Sequence, residues 1–327
     1  MMPRTESGRP NSEKSQPAIT TPTTRIIDGG LSTQLETQGI DLKKYPTTWT
    51  AGLLSTKEGQ GQLSQAHQSY ITAGAQIILT SSYQTSPTMS DEILTTSIKL
   101  ALDCRDRVDK NVDVYVSLGP YGATLADGSE YTGIYPSNVT SETLTTFHST
   151  RLSKLLQNNN PVDGLAFETI PNLLELQCIL HLLSSAVYSK LPAWITFSSK
   201  DGVHCCDGTS LSEAIHLCVD SFAAVPGVRY IGLNCVHPSV IDDFLQVVLP
   251  IVIEHPNVFQ GIVLYPNNGG EWDAKKRCWC DMAGNEGFSE KAKEWRNKII
   301  ETEINCLIGG CCSTNAEHIL KLSESLK

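Results

Sequence analysis

Short apolar or β-branched runs recur along the chain, most of them closed by Gly, Pro, Asn or a small polar residue. Runs of this kind predict strands. They cover residues 25–29, 75–81, 113–118, 162–167, 193–198, 229–233, 260–265 and 306–309, eight in all. The stretches between them are long enough for helices, and several carry start signals. Ser55-Thr56-Lys57-Glu58 has the pattern of a capping box, in which hydroxyl and carboxylate satisfy free backbone N–H groups reciprocally. Leu63, Ala66, Tyr70 and Ile71 then repeat at helical spacing, with Gly74 as a stop. Ser210-Leu211-Ser212-Glu213 and Thr314-Asn315-Ala316-Glu317 open further helices in the same way, and residues 90–110, 141–158 and 172–187 share the period.

The strand runs lack strict polar alternation, which suits a parallel sheet buried on both faces. Eight alternating βα units of this length predict an α/β fold, a (β/α)8 TIM barrel in a single domain. An open doubly wound sheet is the alternative, but no Gly-rich dinucleotide turn follows the first strand. In a barrel the chemistry sits at the C-terminal ends of the strands. Those ends bring Asp28, Tyr83, Glu168, Asn234, Cys235, Cys311 and Cys312 toward one mouth.

Composition narrows the function. With 327 residues, 40% hydrophobic and 18% charged, the chain can bury a large core. Residues 1–24 are rich in Ser, Thr, Pro and charge and predict a disordered tail, leaving 25–327 for the barrel. A net charge of −10 without a basic run excludes attraction to nucleic acid. No apolar segment is long enough for a membrane span or a secretory signal, so a cytoplasmic protein is expected. Eleven cysteines, an odd number at irregular spacing, fit a reducing compartment and not a disulfide framework.

Cys311 and Cys312 stand side by side after Gly309-Gly310, and Cys235 follows Gly232-Leu233-Asn234. A cysteine pair in an apolar stretch is by itself most often buried as a small hydrophobe. A common barrel rim changes that reading, because three thiolates favour a soft ion such as Zn2+ and leave one tetrahedral position open. Such a position suits a thiol substrate. Asp28 and Glu168 on the same rim can hold an ammonium group. Two other readings use the same residues. Gly309-Gly310 could cup the phosphate of a sugar-phosphate aldolase or isomerase, and the cysteines could belong to a closed, non-catalytic zinc module. Cys205-Cys206 and Cys278-Trp279-Cys280, which have no third ligand in view, are expected to be incidental thiols.

The segments Asp28-Gly29-Gly30-Leu31-Ser32-Thr33-Gln34-Leu35-Glu36, Glu168-Thr169-Ile170-Pro171, Gly232-Leu233-Asn234-Cys235, Tyr265-Pro266-Asn267 and Gly309-Gly310-Cys311-Cys312 together resemble the homocysteine S-methyltransferases. The likeness runs from about residue 25 to about residue 325. It implies zinc held by Cys235, Cys311 and Cys312, homocysteine as methyl acceptor, and a sulfonium donor, S-methylmethionine or S-adenosylmethionine. It also implies that Asp28 and Glu168 take the homocysteine amino group, that backbone near Gly29 helps with its carboxylate, and that Asn234 borders the substrate. Trp49 and Tyr83 match aromatic positions near the donor, where a ring face suits a sulfonium. Ser313 and Gly269-Gly270-Glu271-Trp272 depart from the family pattern, on the donor side.

Overall fold

Period-two alternation inside each strand decides the architecture. Ile26, Ile78, Val114, Val116, Leu165, Phe167, Ile195, Ile262, Leu264 and Ile308 join one apolar cluster with the helices. Their neighbours Ile27, Ile77, Tyr115, Ala166, Trp194, Val263 and Leu307 form a second cluster with Tyr265. Both faces of the strands are therefore buried, as a closed parallel sheet requires.

The computed structural model describes residues 21–157, 160–185, 187–188, 190–222, 227–269, 271–273, 278–280 and 287–327. The barrel strands are β1 (Thr24–Ile26), β2 (Ile77–Leu79), β3 (Asp113–Leu118), β4 (Gly164–Ile170), β5 (Ala193–Phe197), β6 (Val228–Asn234), β7 (Gly261–Tyr265) and, after the antiparallel pair β8 (Glu271–Asp273) and β9 (Cys278–Cys280), β10 (Asn305–Ile308). The helices are α1 (Leu31–Thr37), α2 (Lys57–Thr72), α3 (Asp91–Val108), α4 (Tyr121–Leu125), α5 (Ser141–Leu155), α6 (Leu173–Leu183), α7 (Leu211–Phe222), α8 (Ile241–Glu254), α9 (Phe288–Ile300) and α10 (Ala316–Ser325). All neighbouring barrel strands pair in parallel, in the order β1-β10-β7-β6-β5-β4-β3-β2. The ring closes between its two ends through the parallel bridge Ile27–Ile77, with Asp28 N–H donating to Ile77 O at 3.0 Å and Gln76 N–H to Ile26 O at 2.7 Å. The fold is the expected (β/α)8 barrel.

The inner cluster fills the barrel with large rings, as closed parallel barrels are filled by layers of side chains. Tyr115 stacks on Trp194 with centroids 4.4 Å apart, and Trp194 donates its indole N–H to the Tyr265 hydroxyl at 3.1 Å. A third cluster, around Leu35, Leu42, Leu53, Leu54 and Leu63, lies among α1, α2 and the 3-10 stretch Trp49–Ser55.

Two of the expected capping boxes shift by one residue. Thr56, not Ser55, caps α2 by accepting the Gly59 N–H at 3.1 Å. Asn315, not Thr314, caps α10, because the Thr314 hydroxyl is committed to the Cys311 carbonyl at 2.6 Å. Gly74 does end its helix, with φ 99° and its N–H on the Ile71 carbonyl. Of the tail expected over 1–24, residues 1–20 lie outside the described residues, while Thr24 pairs with Cys306 at the start of β1. Among the described residues, no helix is long and apolar enough to cross a membrane.

Gly232 shows how tightly β6 and β7 are drawn together. It pairs with Val263, and a Cβ added to it would stand 1.6 Å from the Val263 carbonyl oxygen. Backbone, unlike the end of a flexible side chain, cannot give way cheaply. Gly232→Ala is expected to destabilise the barrel by roughly 3 kcal/mol, the upper range of overpacking costs, as a lowered midpoint in urea denaturation. An unchanged midpoint would show that the two strands separate freely.

Candidate functional site

The sulfur atoms of Cys235, Cys311 and Cys312 all lie within 4.8 Å of one another. Cys235 directly follows β6 with φ 52°, and its N–H donates to Tyr265 O at 3.2 Å. The other two follow β10, where Gly309 N–H donates to Leu264 O, Gly310 N–H to Asp28 O and Cys311 N–H to Pro266 O, at 2.9, 3.1 and 2.8 Å. These three N–H groups are thus spent on carbonyls of β7, its following residue and the β1 turn. A phosphate cup at Gly309-Gly310 has no donors left there, and Lys200 at the end of β5 is exposed.

The turn after β1 is zipped to the turn after β10. Gly30 N–H donates to Thr314, Tyr70 donates its hydroxyl to Gly30 O at 2.8 Å, and Thr33 Oγ1 accepts from Ser313 N–H at 2.9 Å. A Cβ on Gly30 would sit 2.4 Å from Cys311 O, and one on Gly29 would meet Thr314 and Tyr70 at 2.9 Å. Close backbone approach explains why glycines stand at both places. This zipper brings Asp28 into the same mouth as the sulfurs.

Within the trio, the Cys235 sulfur sits 3.5 Å from that of Cys312. Donation from Cys311, and then from Cys312, holds Cys235 well below the usual thiol range. Interaction with Cys235 pushes the Cys311 and Cys312 thiols well above it. The three sulfurs thus compete for charge at close range, and a soft cation is the natural replacement for their protons. The group has three members among the described residues, one fewer than a closed structural zinc site requires.

Two carboxylates complete the rim. Asp28 is buried, accepts the Leu79 N–H at 2.9 Å, and has its acidity suppressed by burial and secondarily by the charge of Glu168. Burial likewise pushes Glu168 up to about 7, against hydrogen bonds from the Ser117 and Tyr265 hydroxyls. Glu168 follows Ala166 on the inner face by the strand's alternation, and β4 then slips register against β5 between Phe167 and Ile170, as bulges do beside active sites. Thr169 takes φ 62° there. Asn234 holds it, accepting Thr169 N–H at 2.7 Å and donating to its hydroxyl at 2.8 Å, while Thr196 donates to the same Asn234 oxygen at 2.7 Å. The described bonds of Asn234 therefore position Glu168 through Thr169.

Tyr83 lies on the loop after β2, partly buried, against Gly119, whose N–H donates to Tyr83 O at 3.2 Å. Behind it, buried Arg151 donates to Thr85 O at 3.3 Å and Gly119 O at 2.7 Å, tying the loops after β2 and β3 together. Trp49 opens its 3-10 stretch at φ 47° and packs on the Leu35–Leu42 cluster. Cys205 is buried and Cys206 meets Ser198 at 3.3 Å, while the side chains of Cys278 and Cys280 lie outside the described residues.

The sequence reading misses Glu130 and Tyr131. Tyr131 brings its hydroxyl within 3.2 Å of the Cys235 sulfur, so the loop after β3 crosses the mouth toward β6. Its signal was length. About twenty residues separate β3 from α5, where βα loops ordinarily need a few, and such loops are usually functional. Burial pushes Glu130 up to about 7.

The homocysteine S-methyltransferase family model matches residues 25–326. The chain belongs to the homocysteine S-methyltransferase family. Homocysteine S-methyltransferase 1 of Zea mays is 35% identical over 92% of this chain and 94% of its own. A selenocysteine Se-methyltransferase of Brassica oleracea var. italica is also 35% identical, over 92% and 88%. Among solved structures, the metallated form of the Escherichia coli homocysteine methyltransferase MmuM superposes with a TM-score of 0.74 at 29% identity, covering 92% of this chain and 96% of that one.

The buried carboxylate of this family member has a consequence for stability. Because Glu168 is raised from 4.5 to about 7, folding takes up a proton between those values. The stabilisation is complete below pH 4.5 and is lost as pH rises through 7. In chelator-treated, substrate-free protein, the wild type is expected to lose on the order of 3 kcal/mol relative to Glu168→Gln across that window. Urea denaturation at several pH values measures it, and parallel curves for the two proteins would refute the burial assigned to Glu168.

Proposed function

We propose that the enzyme transfers a methyl group from a sulfonium donor, S-methylmethionine or S-adenosylmethionine, to the sulfur of homocysteine, giving methionine, and that it does so with Zn2+ at Cys235, Cys311 and Cys312. The observation that carries this reading is the convergence of those three sulfurs within 4.8 Å at one barrel mouth. Three soft sulfur donors at close range, with Cys235 favoured as thiolate by its two neighbours, fit a zinc ion. Zinc bound there would supply Lewis acidity under which a substrate thiol loses its proton near neutral pH.

The chain's own groups do the rest. Asp28 and Glu168 receive the ammonium of homocysteine, whose positive charge offsets the burial of both carboxylates and favours their ionised forms. Ser117 and Tyr265 fix Glu168 by hydroxyl donation, and the Leu79 N–H fixes Asp28. Backbone at Gly29 lies beside the homocysteine carboxylate. Asn234 borders this pocket as the residue that holds Thr169 and so aims Glu168. Tyr83 and Trp49 present ring faces to the sulfonium, which a quadrupole attracts. In the reaction the donor S–CH3 bond breaks as the new S–CH3 bond forms on homocysteine, and the donor leaves as a neutral thioether.

Homocysteine-dependent methionine formation with S-methylmethionine, S-adenosylmethionine, betaine and methylfolate tests the reading. Turnover is expected with a sulfonium, abolished by chelation and restored by zinc. Cys235→Ser is expected to lose metal and at least about 100-fold in rate, comparable to losses when a metal site is disrupted. Metal-independent turnover, or full metal retention in the variant, would refute it.

A further inference from the structure

The mouth holds a third buried carboxylate that the pocket for homocysteine does not use. Asp28 and Glu168 act on each other electrostatically, and each has its own donors. Glu130 differs. It is 8% exposed, and its Oε2 has no hydrogen-bond partner among the described residues. Leaving a buried carboxylate oxygen without a donor is costly, and such an atom calls for a donor from water, an ion or a ligand.

The surroundings of Glu130 are built, not loose. The turn Ser129–Tyr131 is braced by Asp127, which accepts the Ser129 N–H at 2.9 Å, and by Gly133 N–H on Ser129 O at 2.9 Å. Asn172 at the start of α6 donates to Gly133 O at 3.2 Å, anchoring the loop on the next βα unit. A Cβ on Gly122 would stand 2.9 Å from the Glu130 backbone nitrogen, so α4 packs directly behind the turn. The next residue, Tyr131, touches the Cys235 sulfur, and Tyr83 is within electrostatic reach of Glu130. Glu130 therefore lies within electrostatic reach of Cys235 from the loop after β3, whereas Asp28 stands on the β1 turn, its carbonyl accepting the Gly310 N–H.

Two substrates meet at this mouth, and the reaction needs both at once. The homocysteine ammonium takes the Asp28–Glu168 pair. A sulfonium sulfur has no hydrogen to donate, so it cannot satisfy an empty carboxylate lone pair, whereas an ammonium group offers three N–H donors. We propose that Glu130 binds the α-ammonium of the methyl donor and so makes the enzyme selective for sulfonium donors that are themselves α-amino acids. This inference rests on the sulfonium reading of the donor given above.

Steady-state kinetics with S-methylmethionine and with its des-amino analogue, 4-(dimethylsulfonio)butanoate, test it in the zinc-loaded full chain. The analogue is followed as a substrate, or as a competitive inhibitor if it is not turned over. In the wild type the amino-acid donor is expected to bind at least about tenfold more tightly, the worth of one charge-assisted hydrogen bond. Glu130→Gln is expected to raise KM for S-methylmethionine by about tenfold or more and to move the analogue and homocysteine by less than about twofold. A wild type that does not distinguish the two donors, a parallel rise for both, or a rise confined to homocysteine would overturn the assignment. Should Glu130→Gln fail to fold, Glu130→Asp decides by the same donor-selective criterion. No turnover with S-methylmethionine or S-adenosylmethionine in the wild type would overturn the sulfonium reading itself, and the Glu130 assignment with it.

Discussion

The geometry of this mouth depends on the parallel register of β6, β7 and β10. Gly232 lies against Val263 and Ile308 against Leu264, so the chain leaves β6 and β10 at matching heights on either side of β7. The backbone then turns inward on both sides, at Cys235 through a left-handed residue and at Cys311 through two glycines whose N–H groups are tied to neighbouring carbonyls. Three sulfurs, from positions 76 and 77 residues apart in the chain, are delivered to one point by main-chain hydrogen bonding braced by Tyr70, Thr33 and Thr314. Cysteine side chains are short, so their position follows the backbone closely. A one-residue slip between these strands would carry a thiol to the wrong face.

The polar groups around the sulfurs are held by a chain of contacts that begins in the barrel interior. Trp194 fixes the Tyr265 hydroxyl, which supports Glu168; Thr196 fixes Asn234, which holds Thr169 in its unusual conformation. The same residues that fill the barrel thereby aim the carboxylate at its mouth. Burial raises the cost of ionising Asp28, Glu168 and Glu130. Such a site is poorly satisfied when empty and well satisfied by cations, which is how a stable scaffold converts stored desolvation into substrate affinity.

The barrel was legible because its signals are local and repeated. Eight short apolar runs separated by helical spacing admit few other folds, and the strand ends followed from them. Asp28, Glu168, Cys235, Cys311 and Cys312 were legible as a group for the same reason, since each lies within a few residues of the C-terminal end of a strand. Residues whose role comes from a long loop were not. Tyr131 and Glu130 lie in the connection between β3 and α5, and nothing in its composition says that it folds across the mouth to Cys235. The resemblance implies that Asn234 borders the substrate; its described hydrogen bonds run to Thr169 and Thr196, a pairing at the β4 bulge that sequence periodicity does not reveal. The capping boxes slipped by one residue where a hydroxyl had a better tertiary partner, as at Thr314.

The central claim is that Cys235, Cys311 and Cys312 act as one ligand set for a single ion. X-ray absorption at the zinc edge of the metal-loaded, substrate-free protein tests it most directly. Three sulfur neighbours and one light atom per zinc are expected, the signature of an open catalytic site. Fewer than three sulfurs, or a shell of four protein ligands, would contradict it.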